Sequence, residues 1–171
     1  GIPERGEELV LRLRGRGEEI GRTAQEAEQR PSVACIEWIE PLMAAGNWIP
    51  EMVKLAGGKN LFGAAGEHSP WISWEDLPAH DPDVLLLMPC GFDIARTGTE
   101  MHWLTERPEW GELKAVQSGR VYLTDGNHYF NRSGPRLVES LEIMAEIFHP
   151  GLFRFGHEGS GWQRYENAGA G

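Results

Sequence analysis

Cysteine, basic residues and long apolar runs are all scarce in this sequence. Two cysteines, Cys35 and Cys90, in 171 residues are too few and too widely separated for a zinc framework or a CxxC redox pair. A disulfide between them requires their strands to be neighbours. The longest apolar run, residues 84–88 with its flanks, falls well short of the roughly 20 residues that a membrane-spanning helix needs. With 16 basic against 26 acidic residues the net charge is −10, so most of the chain repels nucleic acid and anionic membrane surfaces. The sequence opens on Gly1 rather than Met and shows no basic, apolar, small-residue leader, so its start does not report a compartment. What is abundant argues for a packed core: the hydrophobic content is 40% and there are seven tryptophans.

The periodicities give an order of elements. Residues 4–29 read as one long helix with a narrow apolar stripe of Leu9, Leu13, Ile20, Ala24 and Ala27, ended by Pro31. Its four glycines weaken it, so it needs a neighbour to lie on. Residues 33–39 form a first strand, followed by the loop PLMAAGNW. A helix over residues 49–56 has Pro50 in its first turn and is closed by Gly57 and Gly58. A short strand at 60–62 leads into the loop GAAGEHSPW. Ser73 and Asp76 then stand at capping-box spacing, starting a short helix with Glu75 in its first turn. The nearly continuous apolar run 84–88 suits a strand covered on both faces. Helical segments follow at 94–104 and 109–113, then a strand at 121–123. Leu137, Leu141, Met144 and Phe148 mark one face of a helix, with Ser133 as its expected N-cap and Pro135 in its first turn. From Gly151 onward glycine and charge rise and periodicity vanishes, which predicts a poorly ordered tail over 151–171.

Strand and helix alternate through the middle of the chain, implying an α/β lobe with three αβα layers and a mainly parallel sheet over 31–150, preceded by a long linker-type helix over 1–30. In such a sheet the strand-to-helix loops gather at the carboxyl ends of the strands, where ligands collect. The loops PLMAAGNW, GAAGEHSPW, PCGFDIART and DGNHYFNR carry Trp48, Trp71, Phe92, His128, Tyr129, Phe130 and Arg132. They hold few groups suited to bond-breaking chemistry, so no catalytic residue, metal site or prosthetic group is assigned. Aromatic loops of low charge suit a large, flat or amphipathic molecule held by stacking and area burial. The alternative is packing: Tyr129 and Phe130 tucked under the helix, and Arg132 solvated. Adjacent side chains on an extended segment point opposite ways. One of Tyr129 and Phe130 is therefore expected in the core, with Tyr129, which has a polar tip, facing outward.

The order of a long helix, then CIEWIEPLMAAGNWIPEMVKLAGG, then SPWISWEDLPAHDPDVLLL, then NRSGPRLVESLEIMAEIFHP resembles the C-terminal lobe of the class III substrate-binding proteins of ABC importers, most closely the cobalamin-binding members. The likeness covers residues 4 to about 150. It implies two lobes joined by a rigid helix with a small-molecule ligand clamped between them, here cobalamin or a related corrinoid. It places Trp71, Tyr129, Phe130 and Arg132 at cleft positions and Glu75 where an exposed glutamate docks on arginines of the membrane permease. The resemblance also implies a preceding N-terminal lobe, which this sequence lacks, and a periplasmic or cell-surface location. His128 stands where relatives can carry an acid. Neutral imidazole is a good metal ligand, so His128 is a candidate contact for a corrin side chain or the cobalt, against the plainer reading of a hydrogen-bonded loop histidine. Members of the superfamily also bind siderophores and haem.

Two readings of other classes stand beside this one. An intracellular enzyme or corrinoid-handling protein would use Cys90, His128 and Asp125 as a reactive cluster, because an imidazole beside a thiol lowers its pKa; that reading would place the chain in the cytoplasm. A lobe that binds nothing alone would leave its aromatic edge as half an interface, prone to self-association.

Overall fold

A computed structural model describes residues 2–166. Its first element, α1 (Ile2–Gln25), is followed by β1 (Ser32–Trp38), β2 (Met43–Ala44), α2 (Ile49–Leu55), β3 (Lys59–Asn60), α3 (Asp76–His80) and β4 (Val84–Leu87). Then come α4 (Ile94–Glu100), α5 (His102–Thr105), a 3-10 turn at Trp110–Glu112, α6 (Lys114–Gln117), β5 (Val121–Thr124), a π-type turn at Gly126–Phe130, α7 (Leu137–Phe148) and β6 (Trp162–Arg164). The strand order is β2-β1-β4-β5-β6, with β3 also paired to β1. β3 and β4 lie parallel to β1, and β5 parallel to β4, while β2 and β6 cap the sheet as antiparallel neighbours of β1 and β5.

All four residues of β4 have no exposed surface, as a strand covered on both faces must. Its side chains divide by the two-residue period. Val84, Leu86 and Met88 join Val33, Cys35 and Tyr122 in a cluster with residues of α1, α2 and α7. Leu85 and Leu87 join Ala34, Ile36, Val121 and Leu123 under Leu77, Met101, Leu104, Trp110 and Leu113. The three-layer α/β architecture expected from the alternation is thus present. Cys35 is buried and Cys90 exposed, and both are free thiols; no disulfide joins them.

Several boundaries differ from the sequence reading. The helix α1 stops at Gln25, four residues before the expected end, so Pro31, which restricts only Arg30 directly, is not what ends it. α7 begins at Leu137 with Arg136 as its N-cap, so Ser133 does not cap it. Glu75 is the N-cap residue of α3 rather than a member of its first turn. Gly57, at the end of α2, takes φ +82°, and a Cβ there would come within 2.5 Å of His149 Nε2, so glycine is required twice over.

The expected loss of order from Gly151 does not hold for residues 151–166; residues 167–171 lie outside the described residues. Phe153 and Trp162 are buried, and β6 pairs with β5. The anchor is electrostatic. On α7, Glu146 accepts hydrogen bonds from the backbone N–H of Gly156 (2.5 Å) and of His157 (3.2 Å) and from the Trp162 indole (3.0 Å). One turn earlier, fully buried Glu142 meets His157 Nε2 at 2.8 Å and pairs with Arg16 of α1. Buried carboxylates persist only with such partners.

Two outcomes follow. Glu146→Ala leaves the buried Trp162 indole and two partly exposed backbone N–H groups without their acceptor and is expected to lower unfolding stability by about 1–3 kcal/mol, read from urea midpoints, while opening residues 151–166 to limited proteolysis. Burial lowers the pKa of His149 from its ordinary 6.5, with the backbone of Gly57 and Ala56 opposing that shift and Arg120 and Arg30 adding to it. A histidine held neutral by the fold contributes stability that is present above about pH 6.5 and lost as pH falls toward its folded pKa. His149→Gln should therefore flatten the fall in urea midpoint between pH 7.5 and 5.5; an unchanged slope removes His149 from the account.

Candidate binding edge

The chain leaves β1, β4 and β5 at one edge of the sheet, and the loops that follow are fastened to one another there. The β1–β4 ladder continues past the strands, with Met88 N donating to Ile36 O and Cys90 N to Glu37 O. Asn127 N donates to Phe92 O at 3.1 Å, and the Asn131 amide, with its nitrogen assigned to the side facing the carbonyls, donates to Gly126 O (2.6 Å) and Pro89 O (3.3 Å). The loop after β4 and the loop after β5 are therefore one unit. On the β1 side, Ser69 Oγ donates to Glu37 Oε2 at 2.7 Å and accepts from Gly46 N at 3.1 Å, which ties the GAAGEHSPW loop to the strand end.

Two hollows open on this edge. One, of about 410 Å³, is lined by Trp38, Glu40, Phe92, Arg96, Glu100 and Trp103. The Trp38 and Phe92 rings are tilted at 55° with centroids 5.4 Å apart, and the Arg96 guanidinium lies 4.9 Å from the Phe92 centroid while paired with Glu100 at 2.6 Å. The other, of about 430 Å³, is lined by Asn127, His128, Arg132, Ser133, Pro135 and Arg136, together with Gly134. A third depression of about 570 Å³ lies at the opposite edge, beside Arg30, Asp83, Arg120 and His149, away from these loops.

The sequence candidates separate into distinct roles. Phe92 lines the aromatic hollow, and His128 and Arg132 line the second. Trp71 is 64% exposed, its backbone bridged to Met43 of β2. Phe130 is 1% exposed and belongs to the core, so it is corrected out of the contact set: the π-type turn aims it inward. Tyr129 is half-buried and packs against the same core, its ring between His128 and His157 at centroid distances of 6.4 and 6.1 Å. Trp48 likewise leans on the α1, α2 and α7 side of the core, and its indole nitrogen is buried without a partner among the described residues. Sequence reasoning missed Trp38, Arg96 and Trp103. Trp38 closes a strand and Trp103 falls in a helix, so a search confined to loops passes over them, while Arg96, inside the stretch PCGFDIART, was passed over for the aromatic Phe92.

His128 is hydrogen-bonded within its own loop. Asp125 Oδ1 accepts its backbone N–H at 2.8 Å, and Asp125 Oδ2 lies 2.6 Å from its Nδ1. The Cys90 side chain makes no hydrogen bond to either residue among those described, and no group of His, Cys, Asp and Glu there could hold a metal ion. Glu75 is exposed and stands beside Trp74, Trp103 and Arg107 around a small depression. Just after it, Asp76 Oδ2 accepts from Ser73 N (2.7 Å) and Ser73 Oγ (3.0 Å). These bonds hold the Asp76 carboxyl below its ordinary pKa; only the carboxylate half of the expected capping box forms, since Glu75 is the N-cap and no side chain caps the helix N–H groups.

Gly126 is the tightest point of the loop unit. A Cβ there would strike the Pro89 carbonyl oxygen and come within 2.7 Å of the Asn131 side chain. Gly126→Ala is expected to cost about 1–3 kcal/mol through overpacking, measured by urea unfolding; a variant as stable as the parent would show that the two loops are not locked together.

Residues 1–127 match the periplasmic binding protein family. Over 106 residues the chain is 30% identical to an uncharacterized ABC transporter substrate-binding lipoprotein, YvrC, of Bacillus subtilis (strain 168), covering 61% of this chain and 30% of that protein. It is 26% identical, again over 106 residues, to the vitamin B12-binding protein of Vibrio vulnificus (strain CMCP6), covering 62% of this chain and 36% of that protein. Among solved structures, a periplasmic heme binding protein from Pseudomonas aeruginosa superposes with a TM-score of 0.71 and 25% identity, over 89% of this chain and 56% of the other. The chain thus spans about a third of the length of these curated relatives, which are binding proteins by name. On the family match and the shared fold, the chain belongs to the periplasmic binding protein family.

Proposed function

We propose that this chain is the ligand-binding lobe of an ABC-importer substrate-binding protein, that its ligand is cobalamin or another corrinoid, and that it works outside the cytoplasm. The observation that carries the ligand class is the aromatic hollow at the strand ends, where Trp38 and Phe92 pair at 5.4 Å and Trp103 completes the lining. A macrocycle has a broad apolar face for such rings and a polar rim for the neighbouring hollow of His128 and Arg132. The similarity to a vitamin B12-binding protein supports the same reading. In it, the remaining length of the relatives corresponds to a second lobe that closes the cleft, and α1 links the two.

Glu75 is the proposed contact for the permease. It is exposed, pairs with no base among the described residues, and sits on a rim with Trp103, an arrangement open to an incoming arginine. Haem or a siderophore is the second reading for the ligand, favoured by the likeness to a heme binding protein. Binding is preferred over catalysis because Asp125 engages His128, leaving Cys90 without an activating base.

The test is a calorimetric and visible-absorption titration with cyanocobalamin. Saturable binding is expected, weakened by about 1–2 kcal/mol in Phe92→Ala or Trp38→Ala through loss of a stacked ring at unchanged melting temperature. Phe130→Ala should instead cost about 3–5 kcal/mol of stability. No saturable heat with cyanocobalamin, beside saturable binding of hemin or a ferric siderophore, moves the ligand to the second reading.

A further inference from the structure

Residues 151–166 lie beyond the family match, which ends at residue 127, yet they reach the binding edge. The turn Gly126–Phe130 is pinned on one side by Phe130 in the core and by Asn127 N, which donates to Phe92 O of the loop after β4. Its remaining contacts are with the tail. Asp125 N donates to Gly161 O at 3.0 Å, and the Tyr129 ring meets the His157 ring at a centroid distance of 6.1 Å and an angle of 69°, inside the range in which tilted aromatic pairs attract. The same Tyr129 ring meets His128 at 6.4 Å.

His157 is itself held on every side. Its backbone N–H donates to Glu146 Oε2 at 3.2 Å, its carbonyl accepts from Gly161 N at 2.7 Å and from Ser160 N at 3.2 Å, and its Nε2 bonds to Glu142 Oε2 at 2.8 Å. Glu142 is fully buried and pairs with Arg16 of α1, so two helices fix the carboxylate that orients this imidazole. Asp125, whose N–H the tail accepts, is also the residue whose carboxylate holds His128. Two tail residues, His157 and Gly161, thus bear on one side chain of the binding edge by separate routes.

From this arrangement we infer that His157 is a positioning residue of the binding edge: oriented by Glu142, it holds the Tyr129 ring, and through that ring and the Gly161–Asp125 bond the tail sets where His128 stands before a ligand arrives. With 16% of its side chain exposed, His157 stands behind the edge rather than on it. The inference rests on the binding-lobe reading and adds to it a residue that acts through another. A loop ordered in advance loses less freedom when it binds.

Three variants of the 171-residue chain test it. His157→Gln keeps a donor for Glu142 and loses the ring, His157→Phe keeps a ring, and Phe153→Leu loosens a buried residue of the tail whose ring partners are His149 and Phe155. Histidine side-chain nitrogen–proton spectra and nuclear Overhauser contacts between His128 and Tyr129 are recorded without ligand. In His157→Gln the His128 signals are expected to move and the contacts to weaken, in His157→Phe both should return toward the parent, and in Phe153→Leu both should stay even where the melting temperature falls as far. His128 signals unmoved in His157→Gln, or moved equally in Phe153→Leu, overturn the inference. Calorimetric titrations with cyanocobalamin and with hemin read the consequence: affinity for whichever binds should fall about three- to tenfold in His157→Gln, the size of one aromatic pair contact. Equal affinity in the parent and in His157→Gln overturns the inference as well. If neither compound binds the parent while the spectra respond as stated, the macrocycle reading fails and His157 stands as the positioning residue of the loop.

Discussion

Parallel pairing of β1, β4 and β5 is the constraint from which the rest of the structure follows. Parallel neighbours cannot be joined by tight turns, so each connection crosses a face of the sheet, and the faces become layers of helix. The strands then all end at the same edge, and every loop that leaves them is gathered there. That single geometric fact brings Trp38, Phe92 and His128 to one side of the molecule although they are separated by up to 90 residues of sequence. It also explains why the loops carry polar cross-links, Asn131 to Pro89 and Gly46 to Ser69: side by side, they must satisfy backbone groups that no strand partner reaches.

What was legible in the sequence was whatever depends on period. The run at 84–88 announced a strand covered on both faces because two buried faces leave no polar position, and α7 announced itself by its apolar stripe. Adjacent Tyr129 and Phe130 were not separable by alternation, because the segment is a π-type turn and not extended: Phe130 is buried and Tyr129, expected to face outward, packs half-buried against the same core. The tail was not legible. Its order depends on Glu146 and Glu142, acidic residues in the middle of a helix, whose role is set by tertiary contacts and leaves no local pattern. Glycine and charge, the features that suggested disorder, instead serve a segment whose backbone N–H groups must approach a carboxylate closely.

The candidate edge was legible in outline and not in membership. Loop aromatics were the right class of residue, yet Trp48 leans into the core while Trp38, the last residue of a strand, lines the hollow. The difference is one of direction: at a strand end, whether a side chain faces a neighbouring layer or open space depends on the twist and on what the next loop covers, neither of which a single sequence encodes locally. Arg132 and His128 line the second hollow, on the strand-to-helix loop where the sequence pattern put them.

The two thiols occupy opposite chemical worlds. Cys35 is enclosed in the core, where burial pushes its pKa upward, so the reactive thiolate is suppressed; Cys90 stands exposed on the loop after β4, two residues before Phe92 of the aromatic hollow. The native chain therefore supplies a single address for thiol-directed labels, close in sequence to that hollow. A fluorophore or spin label attached there would sit on the same loop as Phe92 without engineering a cysteine into the protein.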